Sequence, residues 1–442
     1  MDWPGAETGF NDNDFDNFKY EPRQFKIIKK LWTDPKPKRW NIKSQGDLGR
    51  WISKHKSSIR GGCEYGTYSI LFSRDSNSDY STPSYLPTSR AEFSELVDLF
   101  HIHPTIVRTI RRETAQFSRM HLHEYEGDSI VYTGRMCSTW PNGIAMSSVY
   151  LHQKRLNLSV FYGCNKDQMN SIYGRLCKAG TAIYHPMLAS GILVELDRKR
   201  LIDQIESVTS NFEEIIQTFS SNSQVPESIF TDNFIGQDRN VQQLPCLYIE
   251  NRLLAKGVRI VKHQILGMIQ HTYELERMPN VTPRSHKSLD FGDSIEAKQD
   301  LYPEQSNMGL RIRERLIEIR IEYDQKLDQC HMVLDGLGFT TQLASNLANI
   351  RIAIDAKREN TQMKSIALVT MVFLPLTTVA SVFSMGVFNW EPTAEQAVLS
   401  FYFWVYIAVA AGLTLLTIGT WWAFTRARQS DCRSAIGAEG WV

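Results

Sequence analysis

The sequence predicts an α+β cytosolic domain followed by a long stalk helix and a C-terminal hairpin of two transmembrane helices. Two stretches near the C-terminus, 366–388 and 398–424, carry no charged residue, and each can cross a hydrocarbon core of about 30 Å. Residues 308–365, just before them, place apolar side chains at helical spacing. Farther upstream, stretches of β-branched or alternating residues indicate strands. These three observations together predict the fold class.

The charge balance, the cysteine spacing and the motif content of the sequence argue against several classes of function. The 442 residues include 49 Lys plus Arg and 48 Asp plus Glu, and this near-neutral balance argues against a nucleic-acid partner. The seven cysteines are scattered without the CxxC spacing of a metal site, which is typical of reduced cytosolic thiols. The sequence contains no phosphate-loop motif and no pattern typical of a Ser-His-Asp or paired-carboxylate site. We therefore expect that the protein is not an enzyme.

The N-terminal part is expected to hold two segments. Residues 1–85 are predicted to form an extension that is partly disordered, and residues 86–276 are predicted to form the α/β domain with its helices. Two stretches in this domain, 197–219 and 246–276, have the spacing of amphipathic helices. Strands are predicted, from alternation or β-branched content, at "DSIVYTGRMCS", "SSVYLHQKRLNLSVFYG" and "GILVELDR".

A flexible loop and a stalk helix are predicted next. Residues 277–307 are rich in Pro, Ser and charge, as is typical of a loop, and residues 308–365 contain no proline. Gly336 and Gly338 each cost about 1 kcal/mol inside a helix and favour a kink there. The apolar positions that step by three and four are Leu316, Ile319, Tyr323, Leu327, Cys330, Leu334 and Leu337, and then Leu343, Leu347, Ile350 and Ile354. This apolar face predicts a packing partner for the stalk, either other helices of the chain or other subunits.

The charges that flank the hairpin predict its orientation. The link at 389–397 contains Glu391 and Glu395 and no Lys or Arg, whereas basic residues lie beyond the other ends of both spans. By the positive-inside rule both termini are expected in the cytosol, including the tail at 429–442. The plasma membrane is the default location, with an organellar membrane as the alternative.

Two stretches carry a family resemblance. In "FHIHPTIVRTIRRETAQFSRMHLHEYEGDSIVY" a His-Pro pair opens a helix that leads to a strand, and in "VFLPLTTVASVFSMG" a Pro-Leu-Thr segment precedes a Met-containing tripeptide. Together with the order of elements, these stretches resemble the CorA-like family of magnesium transporters, from about Leu96 to Arg428. The resemblance implies an integral membrane homopentamer that passes hydrated Mg²⁺ and senses internal Mg²⁺ through its cytosolic domains. It implies no cofactor besides this transported and regulatory ion.

The resemblance also implies which residues line the pore. In a gapless alignment from Pro375, the pore-lining positions are Asn360, Met363, Ile366, Leu374 and Thr377. Polar rings suit a hard cation that keeps its waters, and apolar rings can gate by dewetting. From the residues alone, packing at a helix interface is the favoured reading of the small residues Thr377, Thr378 and Ser381.

The outer mouth departs from the family pattern. The family's Gly-Met-Asn signature is matched here by Ser384, Met385 and Gly386, so the amide that accepts hydrogen bonds from metal-bound water is missing. Asn389 and the hydroxyl of Ser384 are candidate replacements. Glu391 and Glu395 either attract cations to the mouth or are solvated loop acids. A second function therefore stays open, namely a CorA-like membrane-anchored scaffold or signalling protein that no longer transports ions.

Overall fold

The computed structural model describes residues 9–61, 65–74, 83–122, 128–222, 235–277, 301–384 and 401–438. The chain divides into two compact units, Met1–Thr341 and Gln342–Val442. The first unit contains the α/β part and the beginning of the stalk helix, and the second contains the apolar helices.

A seven-stranded mixed sheet forms the centre of the first unit. Its strand order is β3-β2-β4-β9-β8-β7-β6, and only β4 and β9 pair in parallel. The strands are β1 Lys19–Tyr20, β2 Phe25–Leu31, β3 Lys38–Ile42, β4 Gly66–Ser73, β5 Tyr85–Leu86, β6 Gln116–Leu122, β7 Ser129–Arg135, β8 Ala145–Leu151 and β9 Leu156–Cys164. The short strands β1 and β5 pair with each other in a separate ladder.

Helices cover both faces of this sheet. The helices are α1 Asp12–Phe15, α2 Gln45–Gly61, α3 Arg90–Phe100, α4 Thr105–Arg111, α5 Lys166–Lys178, α6 Leu188–Asn222, α7 Ile235–Arg277, α8 Leu301–Ser384 and α9 Phe401–Ala438, with a 3₁₀ turn at Gly180–Tyr184. Alternate strand residues belong to two apolar cores. One core contains residues of α2, α3 and α4, and the other contains residues of α5, α6, α7 and α8. This alternation is the two-residue period of a sheet buried on both faces.

The seven-stranded sheet includes strands from both sides of the domain boundary that the sequence predicted at residue 85. Strands β2, β3 and β4 lie before that boundary, yet they pair with β9 and so belong to the same sheet as β6–β9. Residues 25–73 are therefore part of the α/β domain and not a separate extension. The prediction was wrong because strand pairing joins segments that are far apart in sequence, which local patterns do not reveal.

The stretch "GILVELDR" was predicted as a strand and is helical. It lies at the beginning of α6. Ile192, Leu193, Val194 and Leu196 are all buried there. A short apolar run does not distinguish a strand from a helix that is buried on several sides, which explains the error. The two predicted amphipathic helices, 197–219 and 246–276, are confirmed inside α6 and α7.

The stalk helix packs on α6 and α7 through the face that the sequence predicted. Leu316, Ile319, Tyr323, Cys330 and Leu337 are buried in the core that these helices share. The helix begins at Leu301, within the stretch predicted as a loop, and it continues unbroken through the two glycines where a kink was expected. Residues 278–300 of that predicted loop lie outside the described residues.

The second unit contains the two apolar helices. The rest of α8 runs to Ser384, and α9 runs from Phe401 to Ala438, through most of the predicted tail. Both helices are long and apolar enough to cross a membrane, and their apolar windows are mostly exposed in this single chain. The core helix of a soluble protein would instead be buried, so these surfaces require lipid or other subunits to cover them.

Candidate functional site

The five residues predicted to line a pore share one face of α8. At about 100° per residue they fall within an arc about 120° wide, and Asn360 and Thr377 are about 26 Å apart along the axis. All five are exposed in the single chain, with Met363 and Ile366 each 66% exposed and Leu374 59% exposed. We call this set Asn360, Met363, Ile366, Leu374 and Thr377 the pore arc.

The other side of this helix faces α9. Pro375 and Val379 are buried, and the carbonyl oxygen of Leu376 accepts a hydrogen bond from the Tyr406 hydroxyl of α9 at 3.5 Å. These three residues lie about 120–160° around the helix from the middle of the pore arc. Within this unit the pore arc therefore points away from α9.

The Thr377 hydroxyl is oriented by its own helix. Its Oγ1 donates to the carbonyl oxygens of Phe373 and Leu374, at 2.9 and 3.0 Å. A hydroxyl has one hydrogen and two lone pairs, so this bonding leaves acceptor capacity on the outward side. Water bound to a metal ion donates hydrogen bonds, and Thr377 is thus suited to contact the hydration shell of a cation.

Sequence reasoning missed a second threonine on this face. Thr370 lies within the pore arc's angular range, is exposed, and donates its hydroxyl hydrogen to the carbonyl oxygen of Ile366 at 2.8 Å. Thr370, Thr377 and Ser384 are seven residues apart, a spacing that drifts only about 20° per step around a helix. This hydroxyl spacing is visible in the sequence, but the predicted set followed only the positions that the family resemblance supplied.

Only one residue of the predicted outer mouth is described. Ser384 is the last residue of α8 and is exposed. Met385, Gly386, Asn389, Glu391 and Glu395 lie outside the described residues.

A family model matches the part of the chain that contains α8. Residues 297–426 match the family model described as "CorA-like Mg2+ transporter protein". This match covers the stalk helix and the two apolar helices. The resemblance predicted for the region from Leu96 to Arg428 is therefore confirmed for its C-terminal part. No curated protein matches this chain closely enough to count as a relative.

Three solved structures show a distant likeness to this chain. The full-length CmaX protein is 12% identical, with a TM-score of 0.44 over 92% of this chain and 99% of that one. The CorA magnesium transporter from Methanocaldococcus jannaschii is 11% identical, with a TM-score of 0.37 over 89% and 96%. The ZntB cytoplasmic domain from Vibrio parahaemolyticus is 9% identical, with a TM-score of 0.34 over 73% and 99%.

The α/β unit contains buried titratable groups but no metal centre among its described residues. Within the ranges described, no three His, Cys, Asp or Glu side chains are placed to hold a metal ion. His271 of α7 lies 2.8 Å from the Tyr132 hydroxyl and 3.3 Å from Glu274, which pairs with Arg119 at 2.7 Å. Burial lowers the pKa of His271 to about 4, and burial also lowers the pKa of His185 to about 3. The bonds of His271 and Glu274 join the sheet to α7 and support a structural role for this cluster.

Proposed function

We propose that this CorA-like chain forms a homo-oligomeric transporter of divalent cations, with Mg²⁺ as the substrate. The observation that carries the proposal is the pore arc. Its polar and apolar positions lie on one exposed face of a CorA-like helix, directed away from the neighbouring α9. A helix that served only as an anchor would need no such alignment of acceptor groups along about 26 Å of its axis.

The hydrated ion is the form in which Mg²⁺ would move along the pore arc. Mg²⁺ gives up its waters reluctantly, and the hydroxyl lone pairs of Thr370 and Thr377 can accept hydrogen bonds from those waters. Met363 and Ile366 lie between Asn360 and Thr370, and Leu374 lies between the two threonines. These apolar positions supply rings that can close a pore by dewetting. A membrane potential drives a dication inward by about 4–5 kcal/mol per 100 mV.

The exposed side of the stalk supports self-association. In the first unit this side presents large apolar residues that no part of the described chain buries, namely Leu310, Ile317, Ile321, Met332 and Phe339. In the second unit, Leu343, Ile350 and Ile354 are likewise exposed. An eleven-residue step connects Leu310, Ile321, Met332, Leu343 and Ile354 in the sequence, and this step keeps side chains on one side of a helix. We call these eight residues the stalk stripe.

The stalk stripe fits a ring of identical subunits. One helix cannot enclose a path, whereas several copies of α8 around an axis can place their pore arcs toward it. We propose five copies, as the family resemblance implies, with both termini in the cytosol and the protein in the plasma membrane. Glu391 and Glu395 would then lie at the outer mouth and raise the local concentration of cations.

Uptake of Mg²⁺ into liposomes tests the proposal. The purified protein is reconstituted, and internal Mg²⁺ is followed with an indicator dye under an inward gradient. Thr377→Trp places a bulky ring in the pore arc, and its uptake is expected to fall to the level of empty liposomes. Val369→Trp is the matched control, since Val369 is exposed on the same helix at about 120° from the middle of the pore arc. It should retain uptake.

The outcomes separate the two functions that the sequence leaves open. Uptake that Thr377→Trp abolishes and Val369→Trp preserves would support a pore lined by this arc. A correctly folded oligomer that passes neither Mg²⁺ nor Co²⁺, Ni²⁺ or Zn²⁺ would contradict transport. That result would favour the CorA-like membrane-anchored scaffold.

A further inference from the structure

We propose that the α/β unit binds the phosphate group of a small phosphorylated solute between Lys26, Arg39 and Lys166. We call these three residues the cationic triad. They come from β2, β3 and the first residue of α5. The triad lies in the first unit and does not depend on the proposed transport function.

The register of the sheet brings two of these cations together. Strands β2 and β3 are antiparallel, with Lys26 opposite Asn41 and Ile28 opposite Arg39. Lys26 and Ile28 are two residues apart, so Lys26 and Arg39 are diagonal neighbours on one face of the sheet. Ile28 is fully buried in the same core as the apolar residues of α5. This face of the sheet is therefore the one that α5 covers.

Helix α5 supplies the third cation. It begins directly after β9, and the Asn165 side chain caps it by accepting from the Gln168 backbone N–H at 2.8 Å. Lys166 follows as the first helical residue, beyond the carboxyl end of β9. Lys26 pairs with Leu71 near the carboxyl end of β4, the strand that runs parallel to β9. In α/β sheets, ligands bind preferentially beyond the carboxyl ends of parallel strands.

The triad has no acidic partner among the described residues. The described ion pairs and hydrogen bonds include no acidic partner for Lys26, Arg39 or Lys166, whereas Lys38, next to Arg39 on β3, pairs with Asp34 at 3.1 Å. Burial lowers the pKa of Lys26, and the charges of Arg39 and Lys166 lower this pKa further. Like charges in proximity disfavour the charged form of Lys26. A bound anion would remove this repulsion.

The geometry of Arg39 favours phosphate over a simple halide. Its guanidinium lies 5.2 Å from the centre of the Tyr173 ring on α5, and this stacking limits its orientation. A planar guanidinium donates two parallel hydrogen bonds to phosphate oxygens, and each lysine adds a further charged donor. Three cations are also enough to neutralise the two negative charges of a phosphate monoester near neutral pH. Inorganic phosphates and lipid headgroups share this chemistry.

Binding of inorganic pyrophosphate tests the inference. The detergent-solubilised full chain is titrated by calorimetry with pyrophosphate, and separately with inositol trisphosphate as the soluble headgroup of a phosphoinositide lipid. The double variant Lys26→Gln/Lys166→Gln is expected to weaken binding by about tenfold or more. Lys178→Gln is the matched control, because Lys178 is exposed at the other end of α5. Its affinity should stay within about twofold of the wild type.

Thermal unfolding without ligand separates binding from structure. Because the triad repels itself, Lys26→Gln should leave the melting temperature unchanged or raise it, and pyrophosphate should stabilise the wild type more than the double variant. Pyrophosphate binding identifies a soluble phosphate ligand, whereas binding of inositol trisphosphate alone identifies a lipid headgroup. The inference is overturned if neither probe binds, or if Lys178→Gln weakens binding as much as the double variant.

Discussion

In the proposed pore, single hydroxyl groups would determine how the pore-lining face of α8 contacts an ion. Thr370 and Thr377 both donate their hydroxyl hydrogens to carbonyl oxygens of their own helix. They therefore face the proposed path as acceptors, which matches the donor character of metal-bound water. The family resemblance supplied Thr377, and the structure adds Thr370.

Thr370→Val keeps the shape of the side chain and removes the acceptor. If each lost contact with the hydration shell costs about 1 kcal/mol, the rate of Mg²⁺ uptake should fall about fivefold. Thr420→Val on α9 is the control, because Thr420 is exposed and donates to its own helix in the same way, at 3.0 Å from the Leu416 carbonyl oxygen. Equal uptake by both variants would remove Thr370 from the proposed lining.

Buried histidines predict how stability depends on pH. His271 is fully buried, and burial lowers its pKa to about 4. A histidine in the unfolded chain titrates near 6.5, so the unfolded state binds more protons between these two values. The stabilisation from neutral His271 is complete above about pH 6.5 and is lost as the pH falls toward 4, by an amount on the order of 3 kcal/mol.

His271→Gln should flatten this pH dependence, since glutamine can still bond to the Tyr132 hydroxyl but does not titrate. The slope should not vanish, because burial also depresses the pKa of His185. The measurement is the free energy of urea unfolding at several pH values from 7 to 4.5. His263→Gln, an exposed site on the same helix, should leave the slope as it is in the wild type. Parallel curves for all three proteins would refute the assignment.

At the scale of elements, close packing and ion pairs hold the stalk to α6. Gly336 lies against the Phe212 ring so closely that a Cβ atom there would collide with it. Arg198 pairs with Glu322 at 2.5 Å, and Arg315 pairs with Glu195 at 2.6 Å. The glycine that favoured a kink on propensity alone is therefore the residue that allows two helices to approach.

Two glycines two positions apart make a matched test of this packing. Gly336→Ala should destabilise the α/β unit by about 1–3 kcal/mol, because the added methyl group must displace Phe212 or the helix. Gly338→Ala meets no atom within 4 Å and should stabilise the helix by up to about 1 kcal/mol. The readout is the change in free energy of unfolding. Destabilisation of both variants to the same extent would show that the contact with Phe212 is not responsible.

At the scale of the whole molecule, the two opposite faces of the stalk differ in whether the chain itself buries them. The face with Leu316, Ile319 and Tyr323 is buried by helices of the same chain. The stalk stripe, on the other side, is apolar and exposed. An exposed apolar surface of this kind is typical of an interface between subunits.

Met332→Glu combined with Phe339→Glu places charges in the stalk stripe. Their desolvation and mutual repulsion should dissociate the oligomer, and mass photometry in detergent should detect smaller species. The control is Leu253→Glu combined with Leu266→Glu, which puts the same charges on exposed apolar positions of α7. An unchanged mass for the stripe variant would contradict an interface along this face.

Sequence reasoning succeeded where the signal is local. The buried face of the stalk and the two amphipathic helices followed from a period of 3.6 residues, which depends only on near neighbours. It failed at "GILVELDR" and at residues 25–73, because burial on several sides and pairing with distant strands leave no such period. The cationic triad was not predicted for the same reason. Its residues belong to β2, β3 and α5, and α5 is far from the two strands in the sequence.

The sequence by itself determined the two apolar segments, the stalk and its inward face, and the CorA-like character of residues 297–426. Hydropathy and helical spacing are local properties, so no tertiary information was needed. Only the tertiary structure decided which strands share the sheet, how the pore arc lies relative to α9, and that Lys26 and Arg39 are neighbours on the face of the sheet that α5 covers. These features depend on contacts between residues far apart in the chain, which form only when the whole unit folds.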